Sequence, residues 1–212
     1  MIILLILVAA AAWLFFPKAF KALVAQHLSR ETGLPVRIDQ LDLNFRKPEF
    51  LLTGLQLLNP IGFPAADLAR IADVKVQYAS PLALVGLSDL KKVEVNFKEL
   101  RLVRNESGGI NLPLQLPMQA VGDTIEEVVI NLGSVTYTDL SGTEPVQETY
   151  DLGLDKAVYR NVKGVAGIME IVSWEVLKRT GVAPKEEAAV SPGPPAEEIS
   201  TVSPSEKALP QN

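Results

Sequence analysis

The 212-residue chain has no cysteine and a single histidine, His27. Without cysteine there is no disulfide, no Cys-ligated zinc, no iron–sulfur cluster and no thiol nucleophile. One histidine excludes a multi-histidine metal site, and a Ser-His-Asp triad would have to run through His27 alone. Positive charge is also short. Twenty Lys and Arg stand against 25 Asp and Glu, a net charge of −5 that leaves no basic footprint for nucleic acid. Nor do aromatics interleave with the basic residues, as a single-strand binder would need. No P-loop, no GxGxxG after a strand, no GxSxG and no HExxH is present. The close carboxylate pairs Asp39/Asp42 and Glu126/Glu127 fit a solvated strand face better than an acid/base pair. The expectation is a protein with no catalytic residues, no cofactor and no metal.

Apolar residues, by contrast, are in surplus, at 48%. Residues 2–16, IILLILVAAAAWLFF, form one uninterrupted apolar run. Removing those fifteen leaves 86 apolar residues among 197, about 44%, slightly under the ordinary globular range. Fifteen helical residues rise roughly 22 Å, short of the ~30 Å hydrocarbon core, so a span would have to continue past Phe16. A cleaved signal peptide would want a positive stretch first, and only Met1 precedes the run. Ala9–Ala12 could serve as a cleavage site, so cleavage stays open, but residues 17–32 continue in helical period and favour a retained anchor over 1–17 that includes Ile2, Leu5, Val8, Trp13 and Phe16.

Residues 18–33 continue in helical period. Phe20, Leu23, Val24, His27 and Leu28 share one face, and Lys18, Lys21, Ala22, Ala25, Gln26 and Ser29 lie opposite or on the flank. Gly33 and Pro35 supply the stop. His27, midway along the apolar face, reads as a partly buried packing residue. Lys18, Lys21 and Arg30 come after the apolar run, so the positive-inside rule alone would place the body in the cytoplasm.

From Leu34 to Val162 the pattern changes to short alternating segments with turn signals. Alternation at Val36–Asp39 slips by one after Gln40 and resumes at Leu41, Leu43 and Phe45, the mark of a bulge or bend. Further strands are expected through Phe50–Leu57, Ala72–Tyr78, Val93–Leu102, Ile125–Leu132, Val135–Thr138, Val146–Leu154 and Lys156–Val162. That makes eight or nine strands in antiparallel pairing. A short helix is expected over Pro81–Leu90 and a hairpin turn at Asn105–Gly109. Asn105-Glu106-Ser107 there also matches a glycosylation sequon, a pattern common by chance. One face of such a sheet is apolar. It either packs fully on the helices as a closed core or curves and leaves an apolar groove, and the sequence leaves both open.

Gly164–Thr180 reads as a second amphipathic helix with a stripe of Val165, Ile168, Met169, Val172 and Val176. Ile171 and Trp174 lie beyond the stripe, and Gly181 caps the end. Residues 182–212 are rich in proline and glutamate and predict a disordered, solvated tail. The fold class is thus α+β. A transmembrane helix runs into an amphipathic helix. Next come a curved, mainly antiparallel sheet with a short helix, a C-terminal amphipathic helix and the tail. The domain boundaries are 1–17, 18–33, 34–181 and 182–212.

The order of motifs carries a resemblance over about residues 1–115. An apolar anchor leads to a helix ending in LSRETGLPVRIDQLDLNF. A Gly-Leu-x-Leu-x-Asn-Pro-x-Gly-Phe segment comes next at Gly54–Phe63, and then a hairpin ending in Gly109-Ile110-Asn111-Leu112. This order resembles the N-terminal region of AsmA-like proteins of Gram-negative envelopes, most of which are several times longer. The resemblance implies a single-pass inner-membrane protein with a periplasmic body, contrary to the positive-inside reading. It further implies a part in envelope lipid handling or outer-membrane biogenesis, with membrane lipid or an envelope protein as partner. The residues expected to face lipid are Leu43, Phe45, Leu55, Leu57, Val74, Val76, Val93, Val95 and Phe97. The alternative is a membrane-anchored interaction module with a closed core, meeting a partner through Trp174, Ile171 or the acidic tail. A third reading takes the Leu-x-Leu-x-Asn-Pro segment as part of a two-sheet sandwich of the water-stress type.

Overall fold

The computed structural model describes residues 18–44, 46–64, 67–80, 89–112 and 124–182. The expected anchor with Ile2, Leu5, Val8, Trp13 and Phe16, residues 81–88 of the expected short helix, and the tail from residue 183 lie outside the described residues. Helix α1 covers residues 18–32. Six strands come next: β1 (Val36–Asn44), β2 (Glu49–Leu58), β3 (Asp67–Tyr78), β4 (Leu90–Arg104), β5 (Thr124–Asp139) and β6 (Val146–Lys163). Helix α2 (Gly164–Thr180) closes the order. The strands form one sheet in sequence order, so nothing among the described residues makes the second sheet of a sandwich. Every neighbouring pair is antiparallel except β4 and β5, which run parallel.

Several expectations need correction. Ile125–Leu132 and Val135–Thr138 are not a pair of strands but one strand, and so are Val146–Leu154 and Lys156–Val162. The phase break in β5 is a register shift between Leu132 and Ser134, and that in β6 accompanies Lys156 in the left-handed region at φ 50°. A bulge and a turn leave the same mark in a sequence, an interrupted alternation. Here the chain keeps its direction, giving six long strands instead of eight or nine short ones. The Asn105–Gly109 turn forms, with Gly108 N–H donating to Asn105 C=O at 2.9 Å. It makes no full hairpin, however. Ile110 returns only as a single bridge to Arg104, and β5 then lies parallel to β4.

Bulges like these recur across the sheet. Buried positions skip one residue between Ile38 and Leu41, Leu52 and Leu55, Ile71 and Val74, and Leu132 and Val135. In β2 the skip falls at Gly54, φ 66°, where an added methyl would overlap the Asp39 carboxylate. The skips lie on neighbouring strands. Ile38 pairs with Leu55 and Leu41 with Leu52, and Leu55 pairs with Ile71 and Leu52 with Val74. On the outer face a row of polar side chains runs along the same line. Asn96 donates to Asp73 at 2.6 Å, Asn131 donates to Asn96, and Asn131 accepts the Lys156 N–H at 2.7 Å. A line of bulges strengthens local twist and bends the sheet, so the inner face becomes concave.

The two helices lie on that inner face and run the same way. Helix α1 buries Phe20 and Val24 against β2, with the Phe20 ring edge-on to Phe50 at 5.9 Å. Leu23, expected on the packed face, is 45% exposed. The packed row steps by four through Phe20, Val24 and Leu28, which turns Leu23 outward. Helix α2 buries Ile168, Met169, Val172 and Val176, and Trp174 stays 63% exposed. Both helices end in the same lock. Thr32 Oγ1 donates to Leu28 C=O at 2.7 Å and accepts the Leu34 N–H at 3.3 Å. Thr180 Oγ1 donates to Val176 C=O at 2.8 Å and accepts the Val182 N–H at 3.2 Å. Gly33 and Gly181 come next in the left-handed region, and the buried Leu34 and Val182 seat each helix end on the core. No described helix is long and apolar enough to cross a membrane.

Candidate functional site: an apolar groove between two helices

Helix α1 covers the β2 side of the concave face, and α2 packs on β5 and β6. Between them lies a cavity of about 470 Å³. Its floor is Leu52, Leu55 and Leu57 of β2, Ile71, Val74 and Val76 of β3, and Val93, Val95 and Phe97 of β4. Its walls are Val24 and Leu28 of α1 and Val165, Ile168 and Met169 of α2. Small-molecule sites commonly measure ~300–1,000 Å³, so the space is large enough to hold an organic ligand.

Seven of the nine residues expected to face lipid line this cavity: Leu55, Leu57, Val74, Val76, Val93, Val95 and Phe97. Leu43 does not. It is half-buried opposite Phe50 on the edge strand and borders a separate shallow depression with Asp42, Asn44 and Leu51. Phe45 lies outside the described residues. The sequence reading missed Phe50, Leu52 and Ile71, which share the lining. All three stand on the far side of a bulge from the residues chosen in their strands, so a strict count of two excluded them. Gly54 and the Asp73 break were the signals that could have recovered them.

The only polar side chains described on the lining belong to α1: His27, Glu31 and Thr32. Thr32 is already committed to its helix-end bonds. His27 and Glu31 stand one helical turn apart, both half-buried. Phe50 of the lining stacks on Tyr78 with centroids 6.3 Å apart. Burial, and secondarily the Glu49 carboxylate, pushes the Tyr78 phenol above its ordinary range. A lining of this kind has little to polarise or ionise a substrate and offers mainly exclusion of water. Among the described residues no group of three or more potential metal ligands is gathered.

The carboxylate pairs weighed from the sequence lie outside the groove. Asp42 accepts from Gln40 at 2.9 Å, and Asp39 lies against Gly54 on the edge strand. Glu126 pairs with Lys91, and Glu127 pairs with Lys92 at 2.7 Å. The pull of Lys92 holds the Glu127 carboxyl below its usual range. These are cross-strand pairs on the outer face.

Away from the groove, the two most distinctive sequence segments meet. Asn111, 1% exposed, donates through Nδ2 to Asn59 Oδ1 at 2.7 Å and to Arg101 C=O at 2.9 Å, and its Oδ1 accepts the Val103 N–H at 2.8 Å. Asn59 in turn donates to Pro64 C=O at 3.0 Å. The asparagines of the Asn-Pro and Gly-x-Asn-Leu segments, Asn111 buried and Asn59 half-buried, are thus one lock, which gives both a structural reason to be there.

Compared with models of protein families, with curated proteins and with solved structures, the chain matches none.

Proposed function

We propose that this chain is a non-enzymatic, single-pass inner-membrane protein of the AsmA-like kind, its body in the periplasm. In this reading it serves envelope lipid handling or outer-membrane biogenesis by sheltering an acyl chain in the groove. The observation that carries the reading is the 470 Å³ cavity between α1, α2 and the concave face, whose described floor is entirely apolar. An apolar cavity of ~150 Å³ takes one benzene, about 25 Å³ per carbon. By that measure the groove holds about 19 carbons, one long acyl chain and not two. Each buried methylene contributes about 0.8 kcal/mol. A 16-carbon chain therefore gains about 13 kcal/mol, against ~4–15 kcal/mol of lost freedom, which suits reversible capture.

Filling the groove tests this directly. Val95 lies on the β4 side of the floor, between Val93 and Phe97, so Val95→Trp puts an indole where the chain would lie. The full protein in detergent is expected to bind a fluorescent 16-carbon fatty acid, and Val95→Trp to bind it at least tenfold more weakly with its melting temperature kept. Trp174→Gln, on the far side of α2, is expected to leave binding unchanged. Absence of binding by the unaltered protein, or equal binding by Val95→Trp, contradicts the proposal. The exposed Trp174 is the one observation that favours the alternative of a protein-interaction module, and loss of function in Trp174→Gln would support it.

A further inference from the structure

One end of the sheet gathers the features that suit a bilayer surface. The pairings Asn44–Glu49, Glu49–Gln77, Gln77–Lys92, Lys92–Glu127 and Glu127–Arg160 run as a row across all six strands. Beyond this row lie the β1–β2 turn, the ends of β3 and β6 and the starts of β4, β5 and α2. The start of α1 lies at the same end, because Phe20 meets Phe50 and Phe50 meets Tyr78. The chain therefore enters the body here, two residues after the apolar run 2–16.

Four cations with few carboxylates beside them stand at this end. Lys18, Arg46, Lys47 and Lys163 are all exposed, and none has an ionic partner among the described residues. Asn44 Oδ1 accepts the Arg46 and Lys47 N–H groups, each at 3.1 Å, and so holds the turn that presents both side chains. The carboxylates beyond the row are Asp89 and Glu126, with Asp123 beside them in sequence, and Glu126 is already paired with Lys91. Away from this end Arg30, Arg37, Lys98, Lys156 and Lys178 are also exposed, while Arg70–Asp67, Lys75–Glu49 and Arg101–Glu99 are ion pairs. The Ala79 N–H donates to Asp89 C=O at 3.0 Å and ties together the two feet of segment 80–89. Within it, residues 81–88 read PLALVGLS, without a charge.

We infer that this end of the body is a docking face for an anionic lipid surface, with Lys18, Arg46, Lys47 and Lys163 as its contacts. This rests on the anchor part of the proposed function but not on the acyl groove. Unpaired Lys and Arg beside an apolar membrane segment are drawn to anionic headgroups, and the attraction fades within a Debye length. Docking at this end sets the body upright on its anchor, with the groove running away from the bilayer.

The absence of cysteine makes the test clean. The full chain is labelled at a single introduced cysteine, Ser80→Cys at the docking end or Thr143→Cys in the exposed loop at the opposite end. It is mixed with vesicles of phosphatidylcholine, or of 7:3 phosphatidylcholine and phosphatidylglycerol, carrying a headgroup quencher. Flotation with phosphatidylcholine vesicles reports the anchor, and lipid-dependent quenching reports the docking face. The expected result is flotation with both, with at least twofold stronger Ser80→Cys quenching in the anionic vesicles. That excess should vanish in 0.5 M salt or in the triple variant Arg46→Glu/Lys47→Glu/Lys163→Glu. Quenching equal in both lipids and blind to charge reversal, or stronger at Thr143→Cys, overturns the docking face while the anchor stands. Flotation with anionic vesicles alone overturns the anchor and supports the docking face, and flotation with neither overturns both.

Discussion

At the residue scale, two buried polar groups show how much of the fold depends on single hydrogen-bond partners. Asn111 satisfies the Val103 N–H, the Arg101 C=O and the Asn59 amide together. A buried polar group left unpaired costs about 1–3 kcal/mol. Asn111→Leu strands all three partners and is expected to lower unfolding free energy by about 3–5 kcal/mol, read from urea midpoints. Asn59→Ala removes one of those bonds together with the Asn59–Pro64 bond and should cost about 1–2 kcal/mol, and the double variant should fall short of the sum. Tyr137 is the second case. Burial first, and then its hydrogen bond to Asp139 at 3.0 Å, push its pKa up to about 12. The folded state therefore holds the phenol proton more tightly than the unfolded chain does. The resulting stability is fully present below about pH 10 and is lost as pH rises towards 12. Urea unfolding between about pH 9.5 and 11.5 should show a falling stability in the unaltered protein and a shallower fall in Tyr137→Phe. Some slope should remain, because Tyr78, Tyr150 and Tyr159 are also shifted upward.

At the element scale, the bulge line decides the shape. Gly54 marks it in β2, with φ 66° and the Asp39 carboxylate against its backbone. A side chain in the left-handed region costs about 1–2 kcal/mol, so Gly54→Ala should destabilise by at least that amount. Adding Asp39→Ala should recover only the part due to overlap, because the backbone strain remains. Urea midpoints of the two variants separate the terms. The same bulges explain what was legible in the sequence. Both helices, the turn at Asn105–Gly109, the cap at Gly181 and the slip after Gln40 were readable, because each has a local cause in spacing or turn chemistry. Seven of nine floor residues were readable for the same reason: between bulges, alternation by two assigns faces correctly. Continuous β5 and β6 were not, because a bulge interrupts alternation just as a turn does. The parallel pairing of β4 with β5 was not either, because it depends on where the chain returns after Leu112 and leaves no periodic mark. Leu23 was misplaced because helical period alone cannot say which of two adjacent rows meets the sheet.

At the scale of the whole molecule, the described residues form a bent sheet with two co-directional helices on its concave side and a gap between them. A fully closed core would have needed α1 and α2 to meet over β3 and β4. Among the described residues α1 instead stays with β2 and α2 with β5 and β6, and the aliphatic floor lies in the gap between them. The scarcity of histidine and cysteine fits this arrangement, since what the gap offers a ligand is removal from water. The cations Lys18, Arg46, Lys47 and Lys163 add an orientation to it, with the groove axis leading away from the end where the apolar run joins. The most direct test of the central claim is the lipid content of the full chain, extracted from bacterial membranes in mild detergent and measured by quantitative mass spectrometry. The account predicts close to one bound acyl chain per molecule, with at least a tenfold loss in Val95→Trp. Equal lipid in the two proteins, or none in either, would contradict it.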